Sequence, residues 1–470
     1  MLPLVDWGTR DRPALLTDAG QSLTYGQLRE EVERFSEFLP QKRLIFLAGR
    51  NDIPTIVTYL ASLNTGCVPL LLDPDIFATA FSRLLSTYLP AYVFLPTTLA
   101  TNYSDLETVF INGEYSLCRH LDGIGPDLHP ELALLLATSG STGSPKLVRL
   151  SNTNILSNAK SIVEYLGIDK NERSITSLPF NYSYGMSVIN SHLNAGASIL
   201  LTNRSFFDPL FWRLMKSSEI TSLSGVPYSY EMLFKLRFQR MDLPSLRTLT
   251  QAGGKMSVPL TEWITEVCDS KGIRFFTMYG QTEASPRMAF LQPDYMRAKI
   301  GSIGRAIPGG NLWLEDSQGN RIEQPDQMGE LIFSGPNVAL GYALSYKDLV
   351  LGDEWQGILR TGDLARQDVD GFFFIEGRSS RFLKIFGVRV SLDAVEAWYA
   401  ERGIVAASYG QDDHLKVMIE ATPSLLVDDE TKQLASIMKI HPSAITISAM
   451  PILPRLNTGK IDYSCLKTKH

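Results

Sequence analysis

The chain has 470 residues, more than one typical hydrophobic core organises, so two or more domains are expected. Apolar residues make up 44% and charged residues 20%, an ordinary folded composition that excludes low-complexity and collagen-like chains. The net charge is −6, so a basic nucleic-acid-binding face is not expected.

Cys67, Cys118, Cys268 and Cys465 lie far apart, with neither metal-ligand spacing nor a disulfide framework. A reducing cytoplasm is the expected compartment. The stretch from Met1 to Pro13 has no long apolar core behind a basic start, so no signal peptide is expected. No apolar run approaches the ~20 residues of a membrane helix, so no membrane span is expected.

Thr24 and Gln27 have the spacing of a capping box. Leu28, Val32, Phe35 and Leu39 then recur at helical spacing, which predicts a first helix over 25–39. Strands are predicted at 44–48, 68–72 and 91–95, separated by helices at 53–64 and 77–89. Residues 132–136 and 147–150 read as two further strands. Between them lies A-T-S-G-S-T-G-S-P-K, residues 137–146. Glycines let backbone N–H groups turn toward an anion, and the hydroxyls and Lys146 add donors and charge. The loop is not a Walker A motif, because Pro145 precedes Lys146 and Leu147 follows it.

Further on, helices are predicted at 154–166, 185–193, 209–216, 228–238 and 258–271. Strands are predicted at 174–178, 197–201, 222–226, 247–250 and 274–278. This alternation implies parallel pairing with helices on both faces. The pattern changes near Gly301. From there to Glu376, turn signals come about every 8–12 residues between short strand-like runs, as in a small antiparallel barrel or sheet. Mixed α/β then returns, with helices at 391–401 and 429–438 and a strand at 416–420.

Several short motifs punctuate this frame. They are L-P-F-N-Y-S-Y-G at 178–185, Q-A-G-G-K-M at 251–256, M-Y-G-Q-T-E at 278–283 and R-T-G-D at 360–363. G-R-S-S-R-F-L-K at 377–384, F-G-V-R-V at 386–390 and P-R-L-N-T-G-K at 454–460 follow. Together with the 137–146 loop, and in this order, they resemble the adenylate-forming superfamily: acyl-CoA synthetases, peptide-synthetase adenylation domains and luciferases. The resemblance spans roughly residues 20–465.

It implies an α/β fold with a large N-terminal domain of doubly wound sheets and a small β-barrel-like subdomain, at 1–380. A small mobile α+β domain would follow at 381–470. It also implies an ATP-dependent ligase that forms an acyl-AMP, releases pyrophosphate and passes the acyl group to a pantetheine thiol, on CoA or a carrier protein. Thr138, Ser139, Gly140, Ser141, Thr142 and Gly143 would cradle the phosphates with Lys146. Gly253 and Gly254 would run along adenine, with Tyr279 and Gly280 beside them. Thr282 would donate to the α-phosphate and Glu283 would bind Mg²⁺, a cation that takes hard oxygen ligands. Asp363 would hold the ribose, supported by Arg378, and Lys460 would bridge the acid carboxylate and the α-phosphate.

The chain departs from the family at three places. Arg381 stands where the hinge Asp is usual, and hinges need tolerance of φ/ψ change more than a given charge. Tyr182 stands where the family often has His, and a tyrosine cannot serve as a near-neutral acid or base. Asn181 stands where amino-acid-activating relatives carry Asp. That argues for an acid without an α-amine, an aryl or short acyl acid in a pocket lined by Tyr182, Tyr184, Tyr228 and Tyr230. A stand-alone amino-acid adenylation enzyme loading a carrier protein remains an alternative, as does a non-catalytic nucleotide-binding relative.

Overall fold

The computed structural model describes residues 3–78, 80–123, 125–137, 146–378, 381–421, 427–456 and 459–469. The loop residues Thr138, Ser139, Gly140, Ser141, Thr142 and Gly143 lie outside the described residues.

The centre of the first sheet is formed by Leu132–Ala137, Val68–Leu72, Leu44–Ala48 and Tyr92–Pro96, adjacent in that order and parallel. Successive side chains of a strand point to opposite faces. Leu44, Phe46 and Ala48 therefore pack in one cluster with helix Phe81–Tyr88. Ile45 and Leu47 pack in another, with helices Tyr25–Ser36 and Ile53–Thr65. Both faces are covered, and this is why the strand reads as an unbroken apolar run.

The capping box forms as the spacing predicts: Gln27 N–H bonds the Thr24 hydroxyl and Thr24 N–H bonds the Gln27 side chain. The helix stops at Ser36 rather than 39. Phe38 and Leu39 bond the carbonyls three residues back, a tightened last turn ahead of Pro40. The helix expected over 77–89 is likewise Phe81–Tyr88, preceded by a 3₁₀ turn at Pro74–Ala78 that the Asp73 carboxylate caps at Asp75 N–H. The hairpin Leu106–Asn112 and Tyr115–His120 at the sheet's edge was not expected. Its outer strand is largely exposed, so it carries little apolar signal.

In the second sheet, Arg274–Gly280, Thr248–Gln251, Ser222–Gly225, Arg173–Ile175 and Ser198–Leu201 lie side by side and parallel. Pro13–Thr17, also unexpected, extends this parallel run beside Ser198–Leu201. Helices Asn152–Leu166 and Ser183–Asn194 share one core cluster with strands of both sheets. The third sheet is antiparallel, in the order Arg321–Ile322, Asn311–Glu315, Met328–Ser334, Ile358–Gln367, Phe373–Arg378. Among the described residues its two edge strands do not pair, so it is an open antiparallel sheet rather than a closed barrel.

The C-terminal part has its own core, whose buried members among the described residues run from Leu383 to Ile447. It contains the hairpin Phe382–Ile385 and Val388–Ser391, and the sheet Ala406–Gln411, His414–Glu420, Ile445–Met450. A large N-terminal domain and a smaller C-terminal one are thus distinct in packing. Among the described residues no helix is long and apolar enough to cross a membrane.

Candidate active site

The motifs converge because they leave neighbouring parallel strands at the same end. Leu178–Tyr182, Val226–Tyr228, Ala252–Gly254 and Gly280–Glu283 follow Arg173–Ile175, Ser222–Gly225, Thr248–Gln251 and Arg274–Gly280. The crevice at the carboxyl ends of parallel strands is the usual ligand site of such a sheet.

One corner is polar and closed. Asp363 is buried on strand Ile358–Gln367. Its Oδ2 accepts from the Tyr279 hydroxyl and from Gln281 Nε2 at 3.1 Å, and its Oδ1 from Arg378 Nε at 3.0 Å. Burial, then the Asp363 charge, pushes the Tyr279 hydroxyl well above its usual range. The resemblance gives Asp363 the role of holding the ribose. Here three donors already hold it, so a diol would have to replace one of them.

Next to it is a cation–carboxylate corner. Glu283 Oε1 accepts from the Tyr342 hydroxyl at 2.8 Å, and Lys146 Nζ sits 3.3 Å from the centre of the Tyr342 ring. Among the described residues Glu283 Oε2 has no hydrogen-bond partner. Thr282 Oγ1 lies 3.2 Å from Ser183 Oγ. Tyr342 reaches this place on strand Gly341–Ala343, which pairs antiparallel with the strand after the 137–146 loop, Tyr342 opposite Val148.

The third corner is aromatic. Gly253 has φ +85°, and a Cβ there would come within 2.5 Å of the Tyr182 hydroxyl, so the glycine leaves the space this tyrosine occupies. Burial pushes the Tyr182 hydroxyl up to about 12. Lys460 Nζ lies 5.6 Å from the Tyr182 ring centre. Burial, with Arg378 nearby, lowers the Lys460 ammonium to about 8, against the opposing pull of Glu283.

The Lys460 loop is pinned by its own backbone. Leu456 N–H bonds the Lys460 carbonyl, Gly459 N–H bonds the Leu456 carbonyl, and Arg455 bridges Ile461. Arg455 lies over the Tyr228 ring and 3.7 Å from Glu231, both on helix Pro227–Lys235 of the large domain. A cleft of about 610 Å³ runs along this contact, lined by Tyr228, Met232, Leu453 and Gly459 among others. Gly387, in contrast, is exposed, with open space around it.

A sequence profile described as AMP-binding enzyme matches residues 7–343. The chain belongs to the AMP-binding enzyme family. It is 28% identical to an indoleacetate–CoA ligase of Aromatoleum aromaticum, over 94% of this chain and 92% of that protein. It is 31% identical to a feruloyl-CoA synthase of Amycolatopsis, over 76% of this chain and 74% of that one. Its fold matches the ATP-bound crystal structure of MatB from Rhodopseudomonas palustris with a TM-score of 0.79, at 21% identity, over 98% and 96% of the two chains. As a member of this family the chain is an adenylate-forming enzyme, an AMP-forming ligase of the acid–thiol class.

Within this AMP-binding enzyme, several expected site residues take other places. Tyr184 and Tyr230 are core residues, both fully buried with hydroxyls bonded to the Thr250 carbonyl. Only Tyr182 and Tyr228 of the four tyrosines border the crevice. Asn181 is half-buried beside Tyr182. Arg381 is gripped inside the small domain by Asp393, by Glu396 at 2.7 Å and by the Ser408 carbonyl, over the ring of Tyr463. Burial alone would lower its pKa, but the bonds and charge of Glu396 outweigh burial and raise it. The sequence reading missed Tyr342, Gln281 and Ser183. Gln281 and Ser183 sit within recognised motifs, whereas only strand pairing brings Tyr342 in.

Proposed function

We propose that this enzyme activates a small carboxylic acid without an α-amine as its acyl-adenylate and passes the acyl group to the thiol of CoA. The observation that carries the proposal is the placement of Lys460 on Tyr182, where a small-domain loop meets the Thr282–Glu283 segment of the large domain. The acid carboxylate attacks the α-phosphate of ATP; the new bond is acyl C–O–P, and the P–O bond to pyrophosphate breaks. Lys460 neutralises charge between carboxylate and α-phosphate, and Thr282 donates to the latter. Lys146 and the 138–143 loop take the outer phosphates. Tyr279 flanks adenine, with Gly253, Gly254 and Gly280 at its edges, and Asp363 takes the ribose with Arg378 beside it.

The open Oε2 of Glu283 fits a Mg²⁺ ion that draws its other ligands from phosphates and water. Bound there, Mg²⁺ supplies charge neutralisation on the phosphates. The rest of catalysis is positioning and preorganised charge.

Thiol attack on the acyl carbon then releases AMP. Lys460 occupies the acid side in the present arrangement, so the thiol needs a second arrangement of the domains. We take the boundary at 380/381, because the separate C-terminal core begins at Leu383. Arg381 travels with the small domain, and rotation there carries Lys460 out and the Gly387 segment in. CoA is favoured because the two enzymes named above as relatives are a CoA ligase and a CoA synthase. A carrier-protein pantetheine presents the same thiol and is the second acceptor. The four free thiols fit a reducing cytoplasm.

ATP–pyrophosphate exchange across a panel of acids tests the first half-reaction. Exchange driven best by aryl or short acyl acids is expected. A best response to one α-amino acid would overturn the substrate reading, and no exchange with any acid would favour a non-catalytic nucleotide binder. Thioester formation with free CoA, against a phosphopantetheinylated carrier, separates the two acceptors.

A further inference from the structure

Arg287 opens strand Arg287–Leu291, a few residues after Thr282 and Glu283. Its backbone is clamped on both sides: its carbonyl accepts from Asn158 Nδ2 at 3.1 Å and Asn337 Nδ2 at 2.8 Å, and its N–H reaches Asn158 Oδ1. Its side chain points inward and the residue is 3% exposed. The guanidinium lies 4.0 Å from the centre of the Tyr184 ring. Among the described residues Nε has no hydrogen-bond partner and Arg287 forms no ion pair.

A ring face and a bond to the neutral Tyr165 hydroxyl return only part of what it costs to take a guanidinium out of water. The other buried arginine among the described residues, Arg149, is answered by a carboxylate, Glu354. Arg287 lines a small cavity of about 20 Å³, room for one water, with Ser187, Ser224 and Thr250 around it. The carboxylate on that cavity, Glu172, is already engaged by the Thr221 hydroxyl and faces Arg274 at 3.9 Å. Arg287 therefore lacks its counter-charge.

Its position relative to the reacting centre is short and direct. Lys460 lies 5.6 Å from the Tyr182 ring, Tyr182 and Tyr184 are 6.3 Å apart edge to face, and Arg287 stacks on Tyr184. Burial raises the hydroxyls of Tyr165, Tyr182 and Tyr184, and the charge of Arg287 opposes that rise in all three, so the guanidinium faces the same aromatic group that Lys460 caps.

We infer that Arg287 binds a second anionic group on the acid substrate, a distal carboxylate, while Lys460 receives the carboxylate that is activated. The substrate class is then a short or aromatic dicarboxylic acid. Tyr182 moves aside to admit its body, and a planar guanidinium takes a carboxylate through two parallel hydrogen bonds. This inference rests on the ligase reading above.

The test compares matched pairs, adipate with hexanoate and isophthalate with benzoate, in ATP–pyrophosphate exchange. Wild type is expected to prefer the diacid of at least one pair by tenfold or more. In Arg287→Met that preference ratio is expected to fall about a hundredfold, the scale of a buried charge pair broken at one end. Arg287→Lys, which keeps a charge but loses the fork, is expected to lie between. Thermal unfolding of each variant separates a lost fold from a lost contact. Diacids are also expected to raise the melting temperature of wild type and not of Arg287→Met. That reading decides the inference even if no acid supports exchange, the result that would sink the ligase reading instead. Preference for the monoacid in every pair, or an unchanged ratio in both substitutions, would overturn the inference. So would a melting temperature that no diacid raises.

Discussion

The nucleotide corner and the acid corner are built to opposite electrostatic rules. Around Asp363 each charge is answered: Tyr279, Gln281 and Arg378 occupy its two oxygens. Around Tyr182 charges are left over. Lys460 is held where burial lowers its pKa, and Arg287 is buried without a counter-ion among the described residues. A closed network keeps its geometry whether or not ligand is present. An open one is completed only by its substrate. On the assignment proposed above, the corner that takes ATP is set in shape beforehand, and selectivity is expected to reside in the corner whose charges await an acid.

The sharpest way to break the comparison is Lys460→Ala. Adenylation should fall ~10²–10³-fold, the loss seen when a preorganised donor to a developing charge is removed. Thioester formation from pre-made acyl-adenylate should continue near the wild-type rate. Single-turnover assays of each half-reaction measure this; equal damage to both would mean one fixed site and no domain rotation. Glu283→Gln should come next, at ~10² in adenylation with little change in melting temperature. Its substrate-free fold does not need the charge, because Tyr342 can donate to an amide oxygen as well. Wild-type exchange at ordinary Mg²⁺ would remove Glu283 from the site.

The acid corner should also titrate. Lys460 has a pKa lowered to about 8, so it is charged below that pH and neutral above it. The kcat/KM for adenylation should therefore decline as pH rises through about 8, by about tenfold per further unit. Lys460→Arg stays charged and should flatten the decline. A profile identical in both proteins would assign the titration to another group. The nucleotide corner should respond least. Asp363→Asn keeps the shape and loses charge, and should raise the KM for ATP ~10-fold, about one hydrogen bond to a charged group. The preference among acids should stay as it is. A shift in acid preference would erase the distinction between the two corners.

Much of this protein is local and therefore legible in its residues. Thr24 and Gln27 announced a helix start, the unbroken apolar run at 44–48 a strand covered on both faces, and Tyr279, Thr282, Glu283 and Lys460 a family. Each signal depends on neighbours within a few positions, or on a motif short enough to read directly. What only the tertiary structure decided depends on pairings between distant segments. Strand Gly341–Ala343 lies against Leu147–Ser151, which brings Tyr342 between Lys146 and Glu283. Packing across the second sheet sends Tyr184 and Tyr230 into the core while Tyr182 and Tyr228 border the crevice, a choice that spacing among four tyrosines cannot express. Arg381 reads as a hinge by position, and only the fold shows that Asp393 and Glu396 tie its side chain to the small domain. Arg287 follows a motif with nothing in its neighbours to mark it. Whether an arginine is solvated or stranded depends on which carboxylates the fold brings within reach, and that is a property of three-dimensional packing alone.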